Sequence, residues 1–478
     1  MLPFSPPLLV SDALAQLGLF HPHPCGKRGS CGKCTVTLSG EVSSPNAAEI
    51  AAGCRLSCQA MLLGDATVTI AAPAAMVIET AFVDVPHGWD NDAHGLGAAV
   101  DIGTTTVALS LVDFDARAVL VTVAVPNPQR GIAADVMGRI QAALNGKAAV
   151  QQQQIEAAVA ALLAAACQKA ERAESDVSRF VITGNTTMLY LLVGRSPEPL
   201  AHAPFAADDL FGCTVEFLGR PAYLPPCMSA FVGADITCAL LASGLCRREQ
   251  TAMLCDIGTN GEIALWQGGE LFVTSTAAGP AFEGAGISCG CGSVTGAVDR
   301  VWAKNGAIKA HTIGDMPPVG LCGSGLLDAV AVLLDTGDID ETGATDEDAL
   351  TITDGVSLLP QDIRAVQLAK AAVAAGMDTL LHTANADWDT VETLYIAGGF
   401  GSHLNRKSGV RIGLLPPMDD ARMAVLGNAA LAGALALLCD SRFVDEATRI
   451  AENAKAVSLG GSAYFNNAFA EQMFFPEE

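Results

Sequence analysis

The sequence predicts an α/β protein in two unequal parts, a small cysteine- and glycine-rich N-terminal domain followed by a larger domain of two lobes. Three observations carry this. Four cysteines, Cys25, Cys31, Cys34 and Cys58, crowd the N-terminal end. The string DIGT occurs at Asp101 and again at Asp256, each time between two strand-like runs. Strand-like and helix-like periodicities then alternate along the chain, as in the α/β class.

Composition narrows the function classes. The 478 residues exceed what one hydrophobic core organises, and 50% apolar residues are ample for packed domains. Lys and Arg number 27 against 51 Asp and Glu, so a formal charge of −24 repels nucleic acid and anionic lipid. The start, MLPFSPPLLVSDAL, has no basic segment before its apolar residues, and no long uninterrupted apolar run follows. Neither a signal peptide nor a membrane span is expected. Fifteen cysteines then read as metal ligands and buried small hydrophobes in a reducing, cytosolic compartment.

The first domain spans residues 1–72. SDALAQLGLF reads as a helix leading into CGKRGSCGKC, where Cys25, Cys31 and Cys34 are separated only by Gly, Lys, Arg and Ser. Glycines there let backbone amides approach sulfur. A two-iron cluster takes a fourth thiolate from a separate segment. Cys54 and Cys58 are the candidates, and Cys58 is preferred because RLSCQ followed by MLLGDATVTI resembles the ferredoxin segment in which the last ligand precedes a closing strand. Cys54 is then a packed thiol. Structural zinc would accept the same thiolates. His21 and His23 read as loop residues rather than Rieske ligands. Lys27, Arg28 and Lys33 form a basic rim, which either guides an acidic partner or is simply solvated. Residues 73–95, with Pro, Gly and Asp but little periodicity, read as a linker.

The lobes are residues 96–250 and 251–478. LGAAVDIGTTTVALSLVDFD reads as two strands joined by a Gly/Thr turn, and TAMLCDIGTNGEIALW repeats the design. The spacing is that of a duplicated domain-sized unit. In such a turn the glycine exposes successive amides toward a phosphate while the aspartate faces a metal and its waters. Neither turn leads into a helix and GxxxxGK[ST] does not occur, which excludes a P-loop. Ile155, Val159, Leu162 and Leu163 lie at helical spacing, so the glutamine run before them is expected to be a solvated helix face. A second Ala-rich helix is expected from Met423, with Gly427 and Gly433 at points of close backbone approach. In LYIAGGFGS, Gly398, Gly399 and Gly401 would let the backbone lie flat against a nucleoside.

The order DIGTTT, ITGNTTM, DIGTNGE, AGGFG and LGNAALAGA resembles the actin, sugar-kinase and heat-shock-ATPase superfamily. That resemblance implies two ribonuclease-H-like lobes with ATP and Mg2+ in the cleft. Further strings narrow it: CGKC, RLSCQ, NPQ with ADVMGRI between Asn127 and Ile140, TAAGPAFEGAGI at Thr276, LCGSGLLD at Leu321 and MFFP at Met473. Together they resemble the reductive activators of corrinoid proteins, which join a β-grasp [2Fe–2S] ferredoxin domain to this ATPase fold. The resemblance implies that Asp101, Gly103 and Thr104 to Thr106 hold phosphate and metal. Asp256, Gly258, Thr259 and Asn260 would close on the terminal phosphates, and Gly398 to Gly401 would contact the nucleoside. Gly323, Ser324 and Gly325 would shape the pocket wall or merely start a helix. Glu283 would orient water or metal, or serve structure.

The implied activity is ATP-dependent transfer of one electron from the cluster to the Co(II) of a corrinoid protein in a methyltransferase system, regenerating Co(I). An upstream low-potential donor would refill the cluster, and a homodimer stays open. Two rivals remain: an ATP-driven donor to another low-potential metalloenzyme, and a small-molecule kinase or chaperone-like ATPase with a structural zinc module. One departure stands out. The opening hairpin of ferredoxin domains is absent or reduced to PFSPPLLV, which is expected to leave a sheet edge uncovered. Cys255, Cys289, Cys291 and Cys322 read as scattered thiols rather than a second cluster.

Overall fold

The computed structural model describes residues 6–17, 29, 34–70, 88–90, 92–399 and 404–477. At the N-terminal end, described strands β1 (Leu8–Leu9), β2 (Thr35–Val42), β3 (Arg55–Leu56) and β4 (Met61–Thr69) form a sheet in the order β1-β4-β2-β3. Helix α1 (Val10–Gln16) packs Val10 and Leu14 against Val36 and Leu62 of the sheet. Helix α2 (Ala47–Ala52) starts at Asn46, whose side chain accepts from the Glu49 amide while Glu49 accepts from the Asn46 amide. The sheet edge expected to be bare is partly covered, because β1 pairs antiparallel with the start of β4, Leu8 opposite Leu62.

The first lobe contains β5 (Leu96–Ile102), β6 (Thr106–Asp113), β7 (Ala118–Pro126), β8 (Val177–Gly184), β9 (Cys213–Phe217) and β10 (Arg220–Leu224), in the sheet order β7-β6-β5-β8-β10-β9. Its helices are α3 (Val136–Ala142), α4 (Ala148–Ala170), α5 (Thr186–Leu192) and α6 (Ala234–Ser243). The second lobe opens with β11 (Ala252–Ile257), β12 (Gly261–Gln267) and β13 (Glu270–Thr276). It continues through β14 (Ala297–Lys304), β15 (Ala307–Thr312), β16 (Gly320–Leu321), β17 (Leu350–Thr353) and β18 (Val356–Leu358). It returns to the main sheet with β19 (Thr393–Ala397), β20 (Met423–Gly427) and β21 (Ala454–Ala456), in the order β20-β19-β11-β12-β13-β21. Its helices are α7 (Gly323–Thr336), α8 (Pro360–Thr383), α9 (Arg406–Arg411), α10 (Ala429–Cys439), α11 (Arg442–Asn453) and α12 (Ala463–Glu471).

Five strands of each sheet follow one plan. Antiparallel β5-β6-β7 corresponds to β11-β12-β13, and parallel neighbours β8 and β10 correspond to β19 and β20. The duplicated DIGT turns are thus the same hairpin, β5-β6 and β11-β12, in each copy. Helices α6 and α10 join the lobes through one shared apolar core. Their backbones touch: a methyl group added at Gly433 would lie 2.0 Å from the Cys238 carbonyl oxygen. No helix among the described residues is long and apolar enough to cross a membrane.

Three expectations need correction. The run from Met423 begins as strand β20, and Gly427, at φ +65, turns the chain so that Asn428 caps α10. The apolar spacing of α4 does bury Ile155, Val159, Leu162 and Leu163, yet Gln151 of the glutamine run is wholly buried as well. Its amide donates to the Arg139 carbonyl, 3.0 Å, a partner that helical periodicity does not reveal. The end of the expected linker is anchored: Asp90 donates its amide to the Cys439 carbonyl, 2.8 Å, and accepts from Ser441 Oγ, 3.0 Å.

Candidate nucleotide cleft and thiolate site

Gly103 closes the first turn tightly, since a methyl group there would lie 2.9 Å from the Thr106 carbonyl oxygen. The turn is then held from behind. Asn127 donates its side-chain amide to the Gly103 carbonyl, 2.8 Å, and its backbone amide to the Thr105 carbonyl, 2.8 Å. Asn185, the cap of α5, donates to Thr104 Oγ1, 3.1 Å. Arg139, with no exposed surface, donates to the Thr104 and Ala133 carbonyls and to Gln129 Oε1. Burial, helped by the nearby charge of Arg130, draws its pKa down to about 9. These residues come from NPQ, ADVMGRI and GNTTM, whose role as a brace was not legible in the strings themselves.

The second turn is closed by the Gly258 amide donating to the Asn260 carbonyl, 3.0 Å. Against it stands Gly398, at φ +92, where a methyl group would meet Asp256 Oδ1 at 2.5 Å. Only glycine lets that loop approach the aspartate so closely. The two turns are tied together by Glu283, whose Oε2 accepts from Thr105 Oγ1, 2.7 Å, and from Thr259 Oγ1, 2.8 Å.

One cleft brings together Asp101, Gly103, Thr104, Thr105, Thr106, Asp256, Gly258, Thr259 and Asn260. It is also lined by Glu283, Gly323, Ser324, Gly398 and Gly399. Gly325 stands behind the wall, packed against the Val298 carbonyl, and Gly401 lies outside the described residues. Two lining carboxylates, Asp235 and Glu262, were missed from sequence. Asp235 lies in the first turn of α6, and Glu262 follows the second DIGT turn on β12. The Glu262 signal was present in the quoted DIGTNGE, whereas Asp235 sits far from either turn in sequence.

The four acids share one desolvated recess. Burial raises Asp101 to about 6, opposed by the 2.9 Å bond from Asn428 Nδ2. Burial, then the charges of Asp101 and Glu283, raises Asp256 to about 7. Asp235 and Glu262 rise for the same first reason, with the neighbouring acids adding to it. Such hard oxygen donors repel one another until a divalent cation or protons intervene. No three ligating side chains among the described residues converge on one point. A Mg2+ that keeps most of its waters suits this looser ring.

In the N-terminal domain the sulfurs of Cys34 and Cys58, both buried, lie 3.2 Å apart. Contact with Cys58 holds the Cys34 thiol below its ordinary pKa. Gln59 Nε2 lies 3.6 Å from Cys58 Sγ, and its side chain packs against Gly29, at φ +74. Cys54 packs at the edge of this thiol pair, partly buried, with its sulfur 3.5 Å from Thr35 Oγ1. Cys25 and Cys31, with His21, His23, Lys27, Arg28 and Lys33, lie outside the described residues. Two convergent, buried thiols are soft donors that fit a thiolate-ligated iron–sulfur cluster. Of the other cysteines, Cys255 and Cys322 are buried, Cys291 lines the cleft, and none joins a metal-holding group among the described residues.

Comparison with known proteins agrees with this division. Residues 2–63 match the 2Fe-2S iron-sulfur cluster binding domain, residues 96–248 the RACo middle region, and residues 250–478 the C-terminal ASKHA domain of RACo. The corrinoid activation enzyme RamQ of Eubacterium limosum is 33% identical over 376 residues, covering 71% of this chain. The chain spans 63% of that relative's length. The [Co(II) methylated amine-specific corrinoid protein] reductase of Methanosarcina barkeri is 25% identical over 417 residues, covering 78% of this chain and 76% of the relative. Among solved structures, a reductive activator for a corrinoid, iron–sulfur protein superposes with a TM-score of 0.73 at 26% identity, covering 98% of this chain and 95% of the other. A ferredoxin module followed by both RACo regions in order, with a structural match along nearly the whole chain, defines one group: the chain belongs to the RACo-type family of reductive activators.

Proposed function

We propose that this chain is an ATP-dependent reductive activator that passes one electron to the Co(II) of a corrinoid protein and so regenerates Co(I). The observation that carries the reading is the presence, in one chain, of a buried Cys34–Cys58 pair and a cleft where two phosphate turns face each other across Glu283. Cys25, Cys31, Cys34 and Cys58 hold a [2Fe–2S] cluster, which supplies a one-electron carrier when bound. Thr104 to Thr106 and Thr259 with Asn260 grip the phosphates of ATP from opposite sides. Asp101 and Asp256, supported by Asp235 and Glu262, hold Mg2+ through its waters, and Gly398, Gly399 and Gly401 face the nucleoside. The domains serving these roles are residues 1–72, 96–250 and 251–478, joined by residues 73–95.

Nucleotide is required by energetics. Each ~59 mV that an electron travels uphill costs a factor of ten in equilibrium, so a passive carrier leaves most of a low-potential cobalt oxidised. Closure of the lobes on ATP favours a conformation that binds the Co(II) protein, and this differential affinity supplies the bias. The acceptor is the corrinoid protein of a methyltransferase system, and a low-potential donor refills the cluster.

The test is anaerobic absorbance of a purified Co(II) corrinoid protein mixed with this protein and a chemical reductant, with ATP added last. An ATP-dependent rise of the Co(I) band is expected. An intact two-iron spectrum without that rise moves the acceptor to another metalloenzyme, and a colourless metal-loaded protein favours the kinase or chaperone-like reading with zinc.

A further inference from the structure

Glu283 gathers one hydroxyl from each lobe on a single carboxylate oxygen, Thr105 Oγ1 at 2.7 Å and Thr259 Oγ1 at 2.8 Å. Its charge is felt by two recessed cations, Arg130 and Arg139. An anionic oxygen that accepts hydroxyls from both phosphate turns, in the field of two arginines, has the surroundings that a phosphate oxygen requires. We propose that Glu283 is an internal phosphate mimic: its carboxylate, between Thr105 and Thr259, holds the place that a terminal phosphate would take, and nucleotide binds by displacing it. The inference rests on reading the cleft as a nucleotide site and adds an autoinhibitory contact to it.

Local geometry suits displacement. Glu283 ends the short helical turn Pro280–Glu283, which Gly284 stops at φ +74. Gly279 and Gly286 flank this turn with nothing within 4 Å of where a side chain would begin, so the backbone on either side has room to move. Gly284 does not: a methyl group there would meet the Cys291 carbonyl at 2.2 Å, which fixes the segment beside the cleft. The carboxylate can therefore leave the two hydroxyls without taking the wall with it. A site already holding an anion binds the next one more weakly, by the fraction of time that the first stays in place.

The experiment is calorimetric titration of a non-hydrolysable ATP analogue with Mg2+ into full-length wild type, Glu283→Gln and Glu283→Asp, with thermal unfolding of each. The glutamine keeps the shape and a neutral acceptor, and the aspartate is one methylene too short to bring its oxygen to both hydroxyls. Displacement predicts a Kd about tenfold tighter than wild type in Glu283→Gln, equivalent to about 1.4 kcal/mol, and a tightening in the same direction in Glu283→Asp. If the wild type binds and both variants bind equally or more weakly, the mimic is wrong while the nucleotide site stands. If Kd is unchanged and only the hydrolysis of ATP, assayed in parallel on the same variants, falls, the mimic is wrong and Glu283 orients water instead. Absence of binding by the wild type overturns the site itself.

Discussion

Arg139 donates to the carbonyl of Thr104, in the first DIGT turn, from a position with no contact with solvent. Its other oxygen acceptors are the Ala133 carbonyl and Gln129 Oε1, both at 3.2 Å, and its Nη1 also lies 3.1 Å from Met188 Sδ. Neutral acceptors alone hold this buried guanidinium, so it acts as a brace behind the turn.

Removing that brace orphans three acceptors together. Arg139→Met is expected to lower stability by about 3 kcal/mol or more, since unpaired buried acceptors keep their desolvation cost. Nucleotide affinity should fall with it. Arg139→Lys should recover little, because one ammonium cannot reproduce the planar fork. Denaturant unfolding and nucleotide titration of both variants check this, and a lysine variant equal to wild type would rule out the brace.

The acid ring gives a pH dependence whose sign is fixed. Asp101 and Asp256 titrate at about 6 and about 7 in the folded chain, above their value near 4 in the unfolded one. Between about pH 4 and pH 7 the folded state binds more protons, so stability falls as pH rises through that window. A shift of about two units corresponds to a loss on the order of 3 kcal/mol. Denaturation at pH 5 and pH 7.5 without metal should show this fall, and Asp256→Asn should flatten it. Mg2+ with nucleotide should restore stability, more at pH 7.5 than at pH 5.

The N-terminal thiols give a spectroscopic comparison. Cys58 lies 3.2 Å from Cys34, whereas Cys54 faces Thr35. Cys58→Ser should abolish or shift the visible two-iron absorption, and Cys54→Ser should leave it intact. The opposite pattern would exchange the two assignments.

Where α6 and α10 meet, Gly433 leaves no space for a β-carbon. Gly433→Ala must separate the helices and is expected to cost about 1–3 kcal/mol. Thermal unfolding measures that directly, and an unchanged Tm would mean that the contact yields freely.

The sequence was most legible where chemistry is local. Asp101 and Asp256 are each followed by the glycine their turn requires, so hairpin, turn and site could be read from a few residues, and the second copy removed the ambiguity of the first. Long-range partners were not legible. Nothing in QQQQ says that Gln151 reaches the Arg139 carbonyl and Gln152 the Leu192 carbonyl while Gln153 is left exposed. Asp235 becomes a cleft residue only because α6 starts beside the α5 cap, where a methyl group at Gly233 would lie 2.4 Å from the Asn185 α-carbon. The Met423 helix was misread because an apolar alanine-rich run satisfies strand and helix alike until Gly427 and Asn428 break it.

The bare-backbone contact between α6 and α10 also constrains how the cleft can work. At Gly433 no side chain separates the two rods, so sliding or separation there breaks the contact, whereas a small rotation about it would keep it while the flanking apolar side chains repack. Any turning of one lobe against the other would pivot at this point, and the distance from it to the two DIGT turns would set the leverage. A small rotation at Gly433 would become a larger stroke at Thr105 and Thr259, the two hydroxyls that meet on Glu283.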